Sequence, residues 1–406
     1  MIRKRQQIKS YSMRVNGDFI EVDCCQKNKV GHIVCGDTFM SQKFKEEGRV
    51  ISVLSDGLGS GIKASVLSTI TSSMLLNFSL LNEDIMDSAS SVLKTLPQDE
   101  IRKISYSTFC LCEIDCFGKV RIAEYETPSF YLLRNGEFVN IQKKKIPVER
   151  EDLDNTHLLI SEFKMQKEDR IIFFSDGVSQ SGMGNLNMPF GWEEGSKDYI
   201  SMIVSKSPDI SAKDLSRRIV IKAEQNDYSV LKDDTSCCVI YMRKPRNLLV
   251  CTGPPYDEKN DGYLSNYIRD FQGRKIVCGG TTAQIISRET GRSISTDISP
   301  SDRELPPISK MDGVDLITEG ILTLSKVERI LSEEEYESKN KDGPAEKLLR
   351  LLADSDKITF LVGTRINIAH QDPTLPIELE IRRNVVKKIK SLLESKWLKD
   401  VDISYI

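Results

Sequence analysis

Histidine is scarce in this chain, with three in 406 residues. That weakens any Ser-His-Asp or Cys-His scheme of nucleophilic catalysis. Ten cysteines are present but none forms a CxxC pair, so a zinc site has neither its usual sulfur spacing nor enough imidazoles. Most of them stand inside apolar runs such as "STFCLCEID" (Cys110, Cys112) and "TSCCVIYM" (Cys237, Cys238), and they read as buried, reduced thiols. No apolar run approaches the roughly 20 residues that span a bilayer, and the start of the chain is basic without an apolar signal core. A cytoplasmic protein with no membrane contact is expected. Charge of one sign is lacking too: 57 Lys and Arg face 60 Asp and Glu, which leaves no basic field for nucleic acid. GxGxxG and GxxxxGK[ST] phosphate loops are absent.

The patterning divides the chain near residue 245. Before it, strand-like segments ("FIEVDCCQ", "HIVCGDTF", "RVISVLSDG", "YSTFCLCEID", "KVRIAEYET", "HLLISEF", "RIIFFSDG", "DDTSCCVIYM") are joined by turn signals at Phe117-Gly118 and Asn135-Gly136. Helices are expected after Gly61, where Val66, Ile70, Met74 and Phe78 recur at helical spacing, and over "MDSASSVLKTLP" and "SAKDLSRRIVIKAEQN". This is an α+β pattern with antiparallel sheets. After it, "NLLVCTGPP", "EKNDGYLSNYIRDFQ", "RKIVCGGTTAQII", "VDLITEGILTL", "KVERILSEEEY", "KITFLVG" and "PIELEIRRNVVKKIKSLLES" alternate as strands and helices, which predicts a smaller α/β domain with a mainly parallel sheet. In its last helix Ile381, Val385, Ile389 and Leu392 form the expected inner stripe.

The chemistry lies in acids at strand ends. Asp37, Asp56, Asp176 and the pair Asp233-Asp234 each stand at the mouth of a strong strand pattern, in four separate segments. Carboxylates gathered without Lys or Arg repel one another unless hard divalent cations neutralise them. An acid-only site holding two such ions suits phosphate ester hydrolysis. Glycine after Asp56 and Asp176 reads as room for a carbonyl to turn toward a metal and for a bulky anion to approach. Each feature has a plainer reading as an ordinary turn, and Gly59-Ser60-Gly61 reads equally as a helix-entry loop or an anion nest.

"GDTF", "SVLSDGLGSGIKAS", "RIIFFSDGV" and "LKDDTSCCVIYM" resemble the successive motifs of the PPM (protein phosphatase 2C-like) Ser/Thr phosphatases, specifically the stage II sporulation protein E branch. The resemblance covers residues 10–243 and implies an αββα sandwich of antiparallel sheets flanked by helices. It implies a metal-dependent protein serine/threonine phosphatase with two Mn²⁺ or Mg²⁺ ions, Asp56 bridging them and the Gly57 carbonyl bound to one. Asp176 and Asp233 would hold the other ion, Asp233 being preferred to Asp234 because it takes the first place of the family's DDxT phrase. Asp37 would stand in the outer shell of the ion at Gly57. By the same resemblance a metal-bridged hydroxide attacks phosphorus, and the substrate is a phosphoprotein such as an anti-sigma-factor antagonist. Two departures stand out. "EYETPSF", Glu124 to Phe130, replaces an Asn-Gly or Asn-Ala before Pro, and "DDTS" places Thr235 one position early.

Residues 247–406 lie outside the resemblance. A regulatory, recruiting or dimerising role, with a homodimer as one form, is expected of them. "VCTGPP" and "VCGGTTAQ" read either as phosphate-cradling turns or as close-packed crossovers. Two other readings of the whole chain are a non-enzymatic, ligand-sensing module and a two-metal hydrolase of a small phosphate ester.

Overall fold

The computed structural model describes residues 14–15, 17–44, 48–81, 84–96, 107–149, 156–186, 188–296, 305–333, 343–365, 375–397 and 399–406. The basic start of the chain and the last residues of the helix expected through Tyr336 fall outside them. The chain divides into two compact units, Met1–Lys244 and Pro245–Ile406.

In chain order the first unit comprises β1 (Arg14–Val15), β2 (Asp18–Lys27), β3 (Asp37–Phe44), β4 (Arg49–Gly57), α1 (Gly61–Leu80), α2 (Ile85–Thr95), β5 (Ser107–Asp115) and β6 (Lys119–Tyr125). There follow β7 (Tyr131–Arg134), β8 (Glu137–Val139), β9 (Lys143–Pro147), β10 (His157–Lys164), β11 (Arg170–Phe174), α3 (Asp176–Ser179), α4 (Glu193–Lys206), α5 (Ala212–Asn226) and β12 (Thr235–Arg243). Two six-stranded sheets form, in the orders β1-β2-β12-β11-β7-β8 and β3-β4-β5-β6-β10-β9, and every pairing within them is antiparallel.

The layering follows from period-two alternation along each strand. In β12 Cys238 and Ile240 point to the opposite sheet, where they meet Cys110, Cys112, Ile114 and Ile122. Cys237, Val239 and Tyr241 point outward beneath α4 and α5. In β5 Phe109 and Leu111 turn outward to α1 and α2. The unit is therefore an αββα sandwich, and each fully buried Leu, Ile or Phe in it contributes about 1.5–3 kcal/mol. All ten cysteines of the chain are free, and burial pushes the Cys110 and Cys238 thiols well up.

One helix departs from expectation. In α1, Val66 and Ile70 are half exposed, and the face turned to the sheet is Ala64, Ser68, Thr71, Ser72, Leu75 and Ser79. Close approach of a helix to a sheet selects small residues, so the most apolar stripe is not the buried one. Ser68 and Thr71 satisfy their hydroxyls within the helix, on the carbonyls of Ser65 and Leu67.

The second unit comprises β13 (Asn247–Thr252), α6 (Asp261–Asp270), β14 (Arg274–Cys278), α7 (Gly280–Thr290), β15 (Ser295–Thr296), β16 (Ser309–Met311) and β17 (Val314–Thr318). It continues with α8 (Ile321–Ser332), α9 (Pro344–Ala353), β18 (Lys357–Val362), α10 (Leu375–Trp397) and β19 (Asp400–Tyr405). The sheet order is β15-β16-β17-β14-β13-β18-β19. β17, β14, β13, β18 and β19 run parallel, and β15 and β16 add an antiparallel edge. α6 and α7 cover one face; α8, α9 and α10 cover the other. "TTAQII", expected as strand and turn, is helical: it lies in the first two turns of α7, which begins at Gly280 after the capping Gly279. In α10 the buried residues are Val385, Val386, Ile389 and Leu393, while Ile381 is 42% exposed. Among the described residues no helix is long and apolar enough to cross a membrane.

Candidate active site

The paired strands bring the acids of the first unit to one rim. β3 opens at Asp37 and β4 closes at Gly57, and their antiparallel register sets Asp37 directly opposite Asp56. In the other sheet β11 ends at Phe174, two residues before Asp176, and its neighbour β12 begins just after Asp233-Asp234. The interleaved core holds the sheets face to face, so these strand ends share an edge.

Electrostatics registers that convergence. Burial, then the carboxylates of Asp37, Asp176 and Asp233, push the Asp56 carboxyl well above the ordinary carboxylate range, although Asp56 keeps an edge open to solvent. Asp37 is 4% exposed, and neither of its carboxylate oxygens receives a well-formed hydrogen bond. Burial pushes it up as well, to about 6, against a smaller lowering pull from the hydroxyls of Ser236 and Ser175. Both hydroxyls have other bonds: Ser236 Oγ accepts from Gln26 Nε2 (3.1 Å), and Ser175 Oγ accepts from the Ser236 N–H (3.0 Å).

Asp233 and Asp234 divide their labour. Asp234 is buried, and its two oxygens accept the backbone N–H groups of Lys29 and Gly36, both at 2.9 Å. It thereby ties the start of β12 to the loop that delivers Asp37. Asp233 accepts the N–H of Asp234 (2.9 Å) and leaves 47% of its side chain exposed.

The glycines after the acids act differently from the expectation. A Cβ on Gly57 would lie 2.0 Å from the Ala64 carbonyl oxygen, and one on Gly177 would lie 2.1 Å from the Asp234 carbonyl oxygen. Their missing side chains are filled by protein backbone: Gly57 lets α1 close on β4, and Gly177 lets α3 close on β12. The expected absence of cations is also amended, because Lys29 Nζ reaches to 4.0 Å from Asp233. Glu124, at the first departure, stands outside the acid rim; it is buried, pairs with Lys143 (2.5 Å) and accepts the Phe130 N–H (3.0 Å).

Sequence reasoning missed the groups that set the backbone of the rim. Gln26 Nε2 donates to the Asp37 carbonyl (3.3 Å), and Ser107 Oγ donates to the Asp56 carbonyl (3.0 Å). A signal for Ser175 was present, since Ser precedes Asp-Gly in both "LSDG" and "FSDG". Among the described residues no three His, Cys, Asp or Glu side chains form a preformed metal cage. The acids fit a hard divalent cation by donor chemistry, in that a buried carboxylate with two unbonded oxygens calls for a positive charge.

Comparison with known proteins gives one family match: residues 46–243 match the model described as stage II sporulation protein E. No curated protein sequence matches the chain. Among solved structures, the phosphatase domain of the cell fate determinant SpoIIE from Bacillus subtilis is similar at 16% identity over 56% of this chain and 93% of that chain, with a TM-score of 0.43. A structure of the RsbU and RsbW domains of a Mycobacterium tuberculosis protein is similar at 17% identity, over 62% of this chain and 69% of that chain, with a TM-score of 0.44. RsbX in complex with magnesium is similar at 16% identity over 55% of this chain and 95% of that chain, with a TM-score of 0.39.

Proposed function

We propose that the first unit is a divalent-cation-dependent protein phosphatase that hydrolyses phosphoserine or phosphothreonine on a regulatory protein. The observation that carries this reading is the cross-strand pair of buried Asp37 and mostly buried Asp56, each raised in pKa first by burial, the Asp56 carboxyl raised further by Asp37, Asp176 and Asp233. The family match over residues 46–243 supports it, and so does the presence of each acid that the motif comparison calls for.

In this reading Asp56 and the Gly57 carbonyl, with Asp37 behind them, would hold one Mn²⁺ or Mg²⁺ ion, and Asp56, Asp176 and Asp233 the other. When bound, the ions supply an acidified water as nucleophile and positive charge for the phosphoryl oxygens. The chain's own residues do the rest. Asp234 fixes the loop before Asp37, and Ser107 and Gln26 hold the two acid-bearing backbones by their carbonyls. Lys29, beside Asp233, supplies a cation at the rim for an incoming phosphate. An anti-sigma-factor antagonist is the proposed substrate class, with residues 247–406 as a regulatory, recruiting or dimerising domain.

The test is hydrolysis of p-nitrophenyl phosphate and of a phosphoserine peptide with added Mn²⁺, for wild type, Asp56→Asn and Asp176→Asn. Mn²⁺-dependent turnover that falls by two or more orders of magnitude in both variants is expected, about 3 kcal/mol of transition-state stabilisation at the least. Metal-independent turnover, or unchanged turnover in both variants, overturns the reading. That no three acids among the described residues form a preformed metal cage favours a second reading, a phosphatase-like regulatory module without turnover. Absence of both Mn²⁺ binding and hydrolysis would select it.

A further inference from the structure

The parallel strands of the second unit stand in the order β17-β14-β13-β18-β19, which is third, second, first, fourth and fifth in chain order. In open α/β sheets with this winding, ligands settle at the carboxyl ends of the strands where successive connections leave to opposite faces. The central such point, between β13 and β18, is filled by the chain itself. A Cβ on Gly363 would lie 2.1 Å from the Pro254 carbonyl oxygen, and Arg382 Nη1 donates to the Gly363 carbonyl (3.3 Å).

A second divergence lies one strand over. β14 feeds α7 on one face and its neighbour β17 feeds α8 on the other. The two turns touch, since a Cβ on Gly320 would lie 3.5 Å from the Gly279 Cα. α8 carries its own anion: Glu319 Oε2 accepts the Leu322 N–H at 3.0 Å. α7 carries none. Its capping residue is Gly279 at φ +130°, no side chain caps it, and its first turn holds no acid. Gly280 opens the helix with nothing within 4 Å of where its Cβ would be.

The independent observation is Thr282, in the first turn of α7. Its side chain is 1% exposed, its hydroxyl has no hydrogen-bond partner, and the Oγ1 lies 3.4 Å from where a Gly279 Cβ would be. That is the space a capping side chain ordinarily fills with an oxygen. A buried hydroxyl aimed there, beside N–H groups that the helix itself cannot satisfy, calls for an external oxygen anion. We propose that the N-terminus of α7 binds a phosphate group, carried by a small phosphorylated ligand such as a nucleotide, with Thr282 donating its hydroxyl. Glycine at 279 and 280 gives a tetrahedral anion access to the backbone; the acid of α8 is held away by its own helix.

The experiment titrates inorganic phosphate and AMP into the full chain in EDTA by calorimetry, for wild type, Gly280→Asp and Thr282→Val. Wild type is expected to bind AMP saturably and to release it as phosphate is added. Gly280→Asp, which places a carboxylate at the helix start, is expected to weaken AMP about tenfold, with an unchanged or raised melting temperature. Thr282→Val, of the same shape without the hydroxyl, is expected to weaken it by a similar factor. Saturable binding of phosphate alone, lost in both variants, would also support the site and name free phosphate as its source. No saturable binding of either probe overturns the proposal, as does AMP binding that phosphate does not displace, or affinity unchanged in the two variants. Should Gly280→Asp not fold, Thr282→Val decides.

Discussion

Asp37 and Asp56 face each other across the β3–β4 ladder with two buried, unbonded oxygens on one side and a carboxyl crowded by three other acids on the other. Such a pair is costly when ionised and unneutralised, and the cost gives it a pH signature.

Both carboxyls are raised above their unfolded values, so without metal their neutral forms favour the folded state. That contribution is fully present below about pH 4, where the unfolded carboxyls are also protonated, and is lost as pH rises through about 6, the range to which Asp37 is raised. In EDTA at pH 7.5, Asp37→Asn is therefore expected to be more stable than wild type, by roughly 1–3 kcal/mol. The gain should vanish near pH 4, and Mn²⁺ should stabilise wild type more than the variant. Urea unfolding across pH measures all three.

Gly57→Ala and Gly177→Ala are each expected to cost more than about 3 kcal/mol, because the new methyl meets a backbone carbonyl that cannot move without its helix or strand. Gly59→Ala, at φ +102° with open space around it, should cost only about 1 kcal/mol of backbone strain. Denaturant midpoints separate the two classes.

Lys143→Met removes the partner of buried Glu124 and is expected to destabilise by about 3–5 kcal/mol. Glu124→Gln in the same chain should recover much of that loss, since the amide oxygen can still accept the Phe130 N–H. A double-mutant cycle gives the coupling directly.

On α1, Val66→Ser and Ile70→Ser are expected to stay within about 0.5 kcal/mol of wild type. Ser68→Leu, on the buried face, should cost about 1–3 kcal/mol by overpacking. A stability loss confined to the first two would reverse the orientation of this helix.

Most strands were legible in the sequence from alternation or a continuous apolar run, and so was the placing of Asp37, Asp56, Asp176 and Asp233 at strand ends; the exception is "HIVCGDTF", whose first half is loop with Ile33 96% exposed, the strand starting only at Asp37. What was hidden depended on contacts between distant segments. The inward face of α1 is polar by composition, because the nearness of β4 favours Ser and Thr over Val and Ile. The glycines after Asp56 and Asp176 look alike whether they leave space or surrender it, and only the position of Ala64 and Asp234 distinguishes the two. Asp234 itself carries no sequence mark that separates a clamp from a ligand; the two N–H groups it holds come from residues about 200 positions away.

That clamp has a consequence for genetics. On the proposed function, a saturation screen scored by phosphatase activity is expected to rank Asp234 with Asp56 and Asp176, because Asp234 ties down the loop before Asp37. Only a parallel readout of protein abundance would tell the broken hinge from the missing reagent.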